Sequence, residues 1–155
     1  MLGDLVSEGK FTPLGGTGFA LTPALRESYT SGSTEELEYS ALLDAARASL
    51  RLIAAEEESD QPPRRVVVAV DVEDATARPD LDSSVVRLAG PVEKEAIAAI
   101  HVDTKEAEEA VRAAAGVIDA ADLGDPDAEF VLGDAEDHEL AWYALQELPF
   151  LLELL

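Results

Sequence analysis

The sequence predicts an α+β fold in which a small, largely antiparallel, three-stranded sheet packs with about five helices. Segments with apolar residues at helical spacing lie at both ends of the chain, and three short runs suited to strands lie between them. This order of helices, strands and helices is typical of a layered α+β domain. We expect residues 1–155 to form one such domain, because the length suits one domain and is short for two.

Helix start signals define the elements before the strands. Thr22 is a good N-cap and Pro23 suits the first helical position. Ser33 and Glu36 have the spacing of a capping box. The helix that follows carries a broad apolar face that includes Tyr39, with alanines that permit close packing. The predicted helices of this part of the chain span residues 1–8, 23–29 and 34–57.

Three runs of residues are predicted to form the sheet. The β-branched residues of 65–72 are nearly continuous, which predicts a strand buried on both faces. Residues 84–89 and 96–102 flank the turn signal Gly90-Pro91, so we expect them to pair as a hairpin. The stretch 56–63, rich in acidic residues and proline, is predicted to be a solvated internal linker.

The remainder of the chain is predicted to contain two helices. The first begins at Asp103 or Thr104 and runs to about residue 117, and residues 118–131 are expected to be acidic and irregular. The last helix is predicted from Asp134 to the end, with a kink or break at Pro149. Its expected buried face consists of Leu140, Ala144, Leu148, Leu151 and Leu155, with Trp142 mostly buried beside them.

The charge balance restricts the partners. There are 33 acidic and 11 basic residues, which give a net charge of −22. Such a chain repels nucleic-acid backbones and anionic membranes, so we expect neither direct nucleic-acid binding nor membrane association. The charge is compatible with a basic protein partner or with mimicry of a nucleic acid, and solubility alone is the better interpretation. The absence of cysteine excludes disulfides and suits a reducing compartment. No apolar run approaches a membrane span, and we expect a soluble cytoplasmic protein.

The chemically capable side chains cluster on two predicted helices. On residues 138–147, His138 and Glu139 are candidate acid–base groups, with Trp142 and Gln146 as candidate ligand contacts on the same helix. On residues 35–51, Glu38 and Tyr39 are further catalytic candidates. An amphipathic helix with a polar rim is the better interpretation of the first group.

Two arginines of the long helix are candidate ligand contacts as well. Arg47 and Arg51 lie one turn apart and are placed to clamp an anion. In so acidic a chain, internal ion pairs with Asp44 or with the acidic loops are the better interpretation of these arginines.

No metal or cofactor site is predicted. Asp125, Asp127 and Glu129 alternate like the start of a calcium loop, but Phe130 stands where that loop needs glycine. His138-Glu139 lacks the second histidine of a zinc motif, because position 142 is tryptophan. The glycine-rich stretch 14–18 lacks the lysine of a phosphate-binding loop.

Several segments resemble a known but uncharacterised family. They are Phe19–Glu27, Glu35–Tyr39, Ala45–Leu52 and His138–Tyr143. Together they resemble a domain of unknown function found in small acidic proteins from high-GC Gram-positive bacteria. The resemblance covers nearly the whole chain and implies no catalytic residues. It also implies a short apolar strand before the first helix, which the printed chain lacks.

An open sheet edge follows from these expectations. With sequential pairing, the strand 65–72 has one neighbour, and a second copy of the chain is a candidate to cover its other edge as a homodimer. Our leading hypothesis is a non-enzymatic interaction or regulatory protein. The alternative is a small enzyme or ligand-binding domain that uses the 138–147 and 35–51 helices. Convergence of the candidate side chains on one pocket favours the alternative, and dispersal favours an interaction protein.

Overall fold

The computed structural model describes residues 2–56 and 61–155 and has the α+β fold that the sequence predicts. These ranges contain seven α-helices and eight short strands. The helices are α1 Leu2–Glu8, α2 Pro23–Glu27, α3 Thr34–Ala55, α4 Glu108–Ala115, α5 Ile118–Asp122, α6 Pro126–Glu136 and α7 Leu148–Leu154. The strands are β1 Lys10–Phe11, β2 Thr17–Phe19, β3 Val66–Val70, β4 Ala75–Ala77, β5 Val85–Leu88, β6 Val92–Glu93, β7 Ile97–Val102 and β8 Ala141–Tyr143.

The strands form three small antiparallel sheets. β1 pairs with β6, β5 lies between β2 and β4, and β7 lies between β3 and β8. The expected hairpin between residues 84–89 and 96–102 is wrong, because these strands belong to different sheets. The segment between them contains β6, which pairs with the N-terminal β1 and so takes the chain from one sheet to the next.

Two hydrophobic clusters stabilise the fold. The first joins the terminal helices α1 and α7 to one face of the sheet that contains β7, whose Ile100 is fully buried. The second is entirely helical and packs α4, α5 and α6 against the C-terminal half of α3. Its contact residues are mostly alanines, such as Ala107, Ala114 and Ala135, which let the helix backbones approach closely.

The local signals at the early helices are confirmed. The hydroxyl of Thr22 accepts a hydrogen bond from the N–H of Leu25 at 3.1 Å, and that of Ser33 accepts one from the N–H of Glu36 at 3.2 Å. The inward face of α3 differs from the expected one, because Tyr39 is exposed. The buried residues of α3 are Leu37, Ala41, Ala46 and Leu50.

The expectation that residues 118–131 are irregular is wrong. This stretch forms α5 and most of α6. The carboxylate of Asp125 accepts hydrogen bonds from the N–H groups of Asp127 and Ala128 at 2.9 and 3.1 Å, and Pro126 occupies the first turn. Asp125-Pro126 is therefore the same kind of start signal as Thr22-Pro23.

The last helix expected from Asp134 to the kink or break at Pro149 is also wrong, because no helix spans residues 138–147. The helix α6 ends at Glu136, the chain then forms β8, and α7 begins only at Leu148. Leu148 is buried, whereas Leu140 and Ala144 are half-buried and Trp142 is 62% exposed. The helical spacing of these apolar residues is thus overridden by the pairing of β8 with β7. Pro149 lies in the first turn of α7, where the helix makes no use of an N–H at that position.

Residues 57–60 of the predicted linker 56–63 lie outside the described residues. None of the helices in residues 2–56 and 61–155 combines the length and the apolar character that crossing a bilayer requires.

Candidate functional site

A cluster of charged side chains joins α3 to α5 and α6. Arg51 binds Asp122 through two hydrogen bonds, Nε to Oδ2 at 2.8 Å and Nη2 to Oδ1 at 2.9 Å. Arg47 Nη2 donates to Asp122 Oδ1 and to Glu129 Oε1, both at 3.1 Å. The sequence-based interpretation of the two arginines as partners of internal acidic groups is therefore confirmed.

The positions of these four residues follow from the helices that carry them. Arg47 and Arg51 lie one turn apart on α3, so both guanidinium groups point from the same face. Asp122 is the last residue of α5, and Glu129 lies in the first turn of α6. Asp122 thus binds both arginines, and Glu129 binds Arg47, at the corner where α5 turns into α6.

The ion pairs change the pKa values of their members. The hydrogen bond from Arg51, opposed by partial burial, lowers the pKa of Asp122 below its ordinary value. Partial burial opposes the charge of Arg47, but its hydrogen bonds to Glu129 and Asp122 outweigh this effect and raise its pKa. Asp122, Arg47 and Arg51 therefore stay ionised near neutral pH. The side chains are a quarter to nearly half exposed, so their net contribution to stability is small.

An open cavity of about 420 Å³ lies beside this cluster. Asp44 contributes a carboxylate that accepts a hydrogen bond from the buried Ser84 hydroxyl at 2.7 Å. Arg47 Nε is buried without a hydrogen-bond partner among the residues described. The lining residues are Phe19, Asp44, Arg47, Arg51, Asp82, Ala121, Asp122, Gly124 and Glu129. Four carboxylates surround two arginines that they already neutralise, which makes the cavity a poor clamp for an anion.

His138 and Glu139 lie in the turn that leads from α6 to β8. The backbone carbonyl of His138 accepts a hydrogen bond from Arg65 Nη2 at 3.0 Å, and its side chain is half-buried. Glu139 is exposed. It is thus the backbone carbonyl of His138, through its hydrogen bond from Arg65, that helps to hold the end of α6 in place.

Trp142 and Gln146 do not share a helix face with His138. Trp142 is the middle residue of β8 and lies opposite His101 of β7, and Gln146 is exposed in the short 3₁₀ turn Leu145–Glu147. Cross-strand neighbours have their side chains on the same face of a sheet. The histidine that lies next to Trp142 is therefore His101, whose pKa is lowered by burial.

Glu38 and Tyr39 are exposed residues near the start of α3. They line neither the cavity described above nor a second one of about 370 Å³, whose lining includes Pro62, Pro63 and Arg112. The same holds for His138, Glu139, Trp142 and Gln146. Of the eight candidate residues, Arg47 and Arg51 are the two that line either of these two cavities.

The most buried ion pair of the described residues, Arg65 with Asp103, was not among the candidate residues predicted from the sequence. Arg65 and Asp103 are 3% and 2% exposed, and Arg65 Nε and Nη2 donate to Asp103 Oδ2 and Oδ1, both at 2.8 Å. Arg65 Nη2 also donates to the carbonyls of Ala135 and His138 at 3.0 Å. These residues lie just outside two paired strands, so only the strand register brings them together, and the sequence carries no local signal of it.

The acidic residues of the half-formed calcium motif have other partners. Asp125 caps α6 and Glu129 binds Arg47, so neither belongs to a metal-binding loop. In residues 2–56 and 61–155, no three His, Asp or Glu side chains are arranged to hold a metal ion.

The fold and the site together define a small, acidic α+β protein with a surface ion-pair cluster and dispersed candidate side chains. The chain belongs to a family of unknown function (DUF6912), whose model matches residues 1–152. No curated protein matches the chain. No solved structure matches it either.

Proposed function

We propose that the protein is a non-enzymatic interaction or regulatory protein of the cytoplasm of high-GC Gram-positive bacteria, and that its partner is a basic protein. The observation that carries this proposal is the dispersal of the candidate catalytic residues. His138, Glu139, Glu38 and Tyr39 line neither of the cavities described above. An acid–base mechanism needs such groups within hydrogen-bond reach of one substrate.

The charge distribution supports a basic partner. Residues 113–155 contain eleven acidic residues and no lysine or arginine, so half of the net charge of −22 lies in this part of the chain. Several large apolar side chains of the same part are more than half exposed, namely Leu123, Phe130, Trp142, Phe150 and Leu154. Apolar anchors within a charged surface are typical of protein-binding sites.

Capture of the partner at native expression level tests the proposal. We expect the tagged protein to copurify in near-stoichiometric amount with a basic protein, and the two purified proteins to form a complex that weakens with salt. Recovery of no stoichiometric partner at low salt would contradict the proposal.

The alternative function is binding of a small ligand at the cavity beside Arg47 and Arg51. A metabolite screen read by melting temperature tests it. A ligand that stabilises the parent and loses its effect in Arg51→Ala supports this alternative, whereas a ligand effect abolished by His138→Ala would restore the site first expected around that histidine.

A further inference from the structure

The strand β8 is an outer strand of its sheet, and the register tells which of its peptide groups face outward. The N–H of Asp103 donates to the carbonyl of Arg65 at 3.0 Å, so these groups point between β7 and β3. Polar backbone groups alternate in direction along a strand. The N–H and C=O groups of His101 therefore face β3. The same groups of Ile100 and Val102 face β8, where Ile100 lies opposite Tyr143 and Val102 lies opposite Ala141.

Trp142, between these two residues, presents its N–H and C=O to the open edge of the sheet. Neither group has a hydrogen-bond partner elsewhere in the part of the chain that the structure describes. Two residues further on the edge is closed, because the N–H of Ala144 donates to Glu147 Oε2 at 2.8 Å. The open edge thus centres on one residue that offers both a donor and an acceptor.

The side chain of Trp142 adds an anchor at the same position. Trp142 is 62% exposed although it stands beside the half-buried His101. Exposed tryptophan is among the side chains most often found at the energetic centre of protein interfaces. A strand added to β8 would therefore gain main-chain hydrogen bonds and cover an aromatic ring at once.

The other outer strand of the sheet is protected, and β8 is not. At β3, the N–H of Val66 donates to Ser49 Oγ at 3.0 Å, two prolines precede the strand, and a bulge interrupts it between Ala69 and Val70. Bulges, prolines and charged residues are the devices that keep sheet edges from pairing. The sequence Ala-Trp-Tyr of β8 contains no bulge, no proline and no charged residue. The strand is only short.

The acidic residues next to β8 indicate which kind of segment can bind at its open edge. Four exposed acidic residues precede the strand, namely Asp134, Glu136, Asp137 and Glu139. A second copy of a chain with a net charge of −22 would bring the same charges together. We infer that the edge of β8 binds an extended segment of a protein in which lysine or arginine alternates with apolar residues. This inference rests on the proposed function and names the surface that performs it.

Binding of a defined peptide tests the inference. The probe is a fluorescein-labelled nonapeptide in which lysine and valine alternate, and the readout is its anisotropy in titrations with the full chain. We expect saturable binding that weakens at least tenfold in Trp142→Lys. The matched control is Phe130→Lys, which makes the same substitution at a residue that is 75% exposed on α6, and we expect a change of less than twofold. Thermal unfolding checks that both variants are folded.

Two further peptides separate main-chain pairing from attraction between charges. The same peptide with every backbone nitrogen methylated keeps its charges and loses its donors, so we expect at least a tenfold loss. A peptide of alternating glutamate and valine should not bind. Equal weakening by the two lysine variants, full binding of the methylated peptide, or no binding of the parent peptide would each overturn the inference. A captured partner that binds Trp142→Lys as tightly as the parent chain would also overturn it, while leaving the proposed function intact.

Discussion

Arg65 and Asp103 show how one buried charged pair connects three elements. The guanidinium of Arg65 at the start of β3 is held by Asp103 at the end of β7 and by the carbonyls of Ala135 and His138 at the end of α6. The last carbonyls of a helix lack intrahelical partners, and a cation there is favourable. This contact ties the end of α6 to β3 and β7 at the point where the chain turns towards β8.

Removal of one member of this pair should be costly. In Asp103→Ala the charge of Arg65 stays buried without its carboxylate, and we expect a loss of about 3–5 kcal/mol in the free energy of unfolding measured by chemical denaturation. The double variant Arg65→Met/Asp103→Leu, which leaves no unpaired charge, should recover part of that loss. The exposed pair Arg78–Asp80 provides the control, since Asp80→Ala should leave the unfolding midpoint unchanged. A similar midpoint in both alanine variants would contradict this account.

His101 should make stability depend on pH. Burial lowers its pKa below the ordinary value of 6.5, so the unfolded chain takes up a proton at a pH where the folded chain does not. The contribution of His101 to stability is therefore complete above pH of about 6.5 and is lost as the pH falls through the lowered pKa. We expect His101→Gln to flatten this part of the stability profile from pH 7.5 to 5. An unchanged profile would show that burial of His101 carries no such effect.

Among the candidate residues, only the pairing of the two arginines was predictable from the sequence. Arg47 and Arg51 lie in a chain rich in carboxylates, so composition alone favoured internal ion pairs. Their partners Asp122 and Glu129 could not be predicted, because the stretch that carries these two residues was expected to be irregular. The grouping of His138 with Trp142 failed because it assumed a helix at a place where the chain forms a strand.

At the scale of elements, local signals were predictive and long-range pairing was not. The capped starts of α2 and α3 were predicted because a cap depends on residues three or four positions apart. The strand β8 was not, because Leu140, Ala144 and Leu148 have helical spacing and only β7 makes the intervening residues a strand. The helix α6 was predictable, since Asp125-Pro126 is a start signal of the kind recognised at Thr22-Pro23.

The cap of α6 provides a test at this scale. In Asp125→Ala the N–H groups of Asp127 and Ala128 lose their acceptor, and we expect a loss of about 1 kcal/mol in the free energy of unfolding. Asp134→Ala removes an exposed acidic residue from the same helix, outside its first turn, and serves as the matched control. A loss no larger than that of the control would contradict the assignment of Asp125 as the cap.

At the scale of the whole molecule, the charge governs association between copies. The homodimer through the outer edge of β3 stays a prediction, although Ser49, two prolines and a bulge protect that edge. Repulsion between chains of −22 should keep the protein monomeric at low salt, and screening should then permit the dimer. Size-exclusion chromatography with light scattering at 0.05 and 1 M salt measures this. A monomer at both concentrations would remove the dimer from the account.

The central claim is that β8 leaves Trp142 open to a partner, and the fluorescence of the parent chain tests it most directly. Trp142 is the only tryptophan of the chain, so its emission and its quenching by neutral acrylamide report this one site. With the indole 62% exposed, we predict red-shifted emission and quenching close to that of a free indole, both reduced when the lysine–valine peptide binds. Blue-shifted emission that resists acrylamide in the folded chain would show a buried Trp142 and contradict the claim.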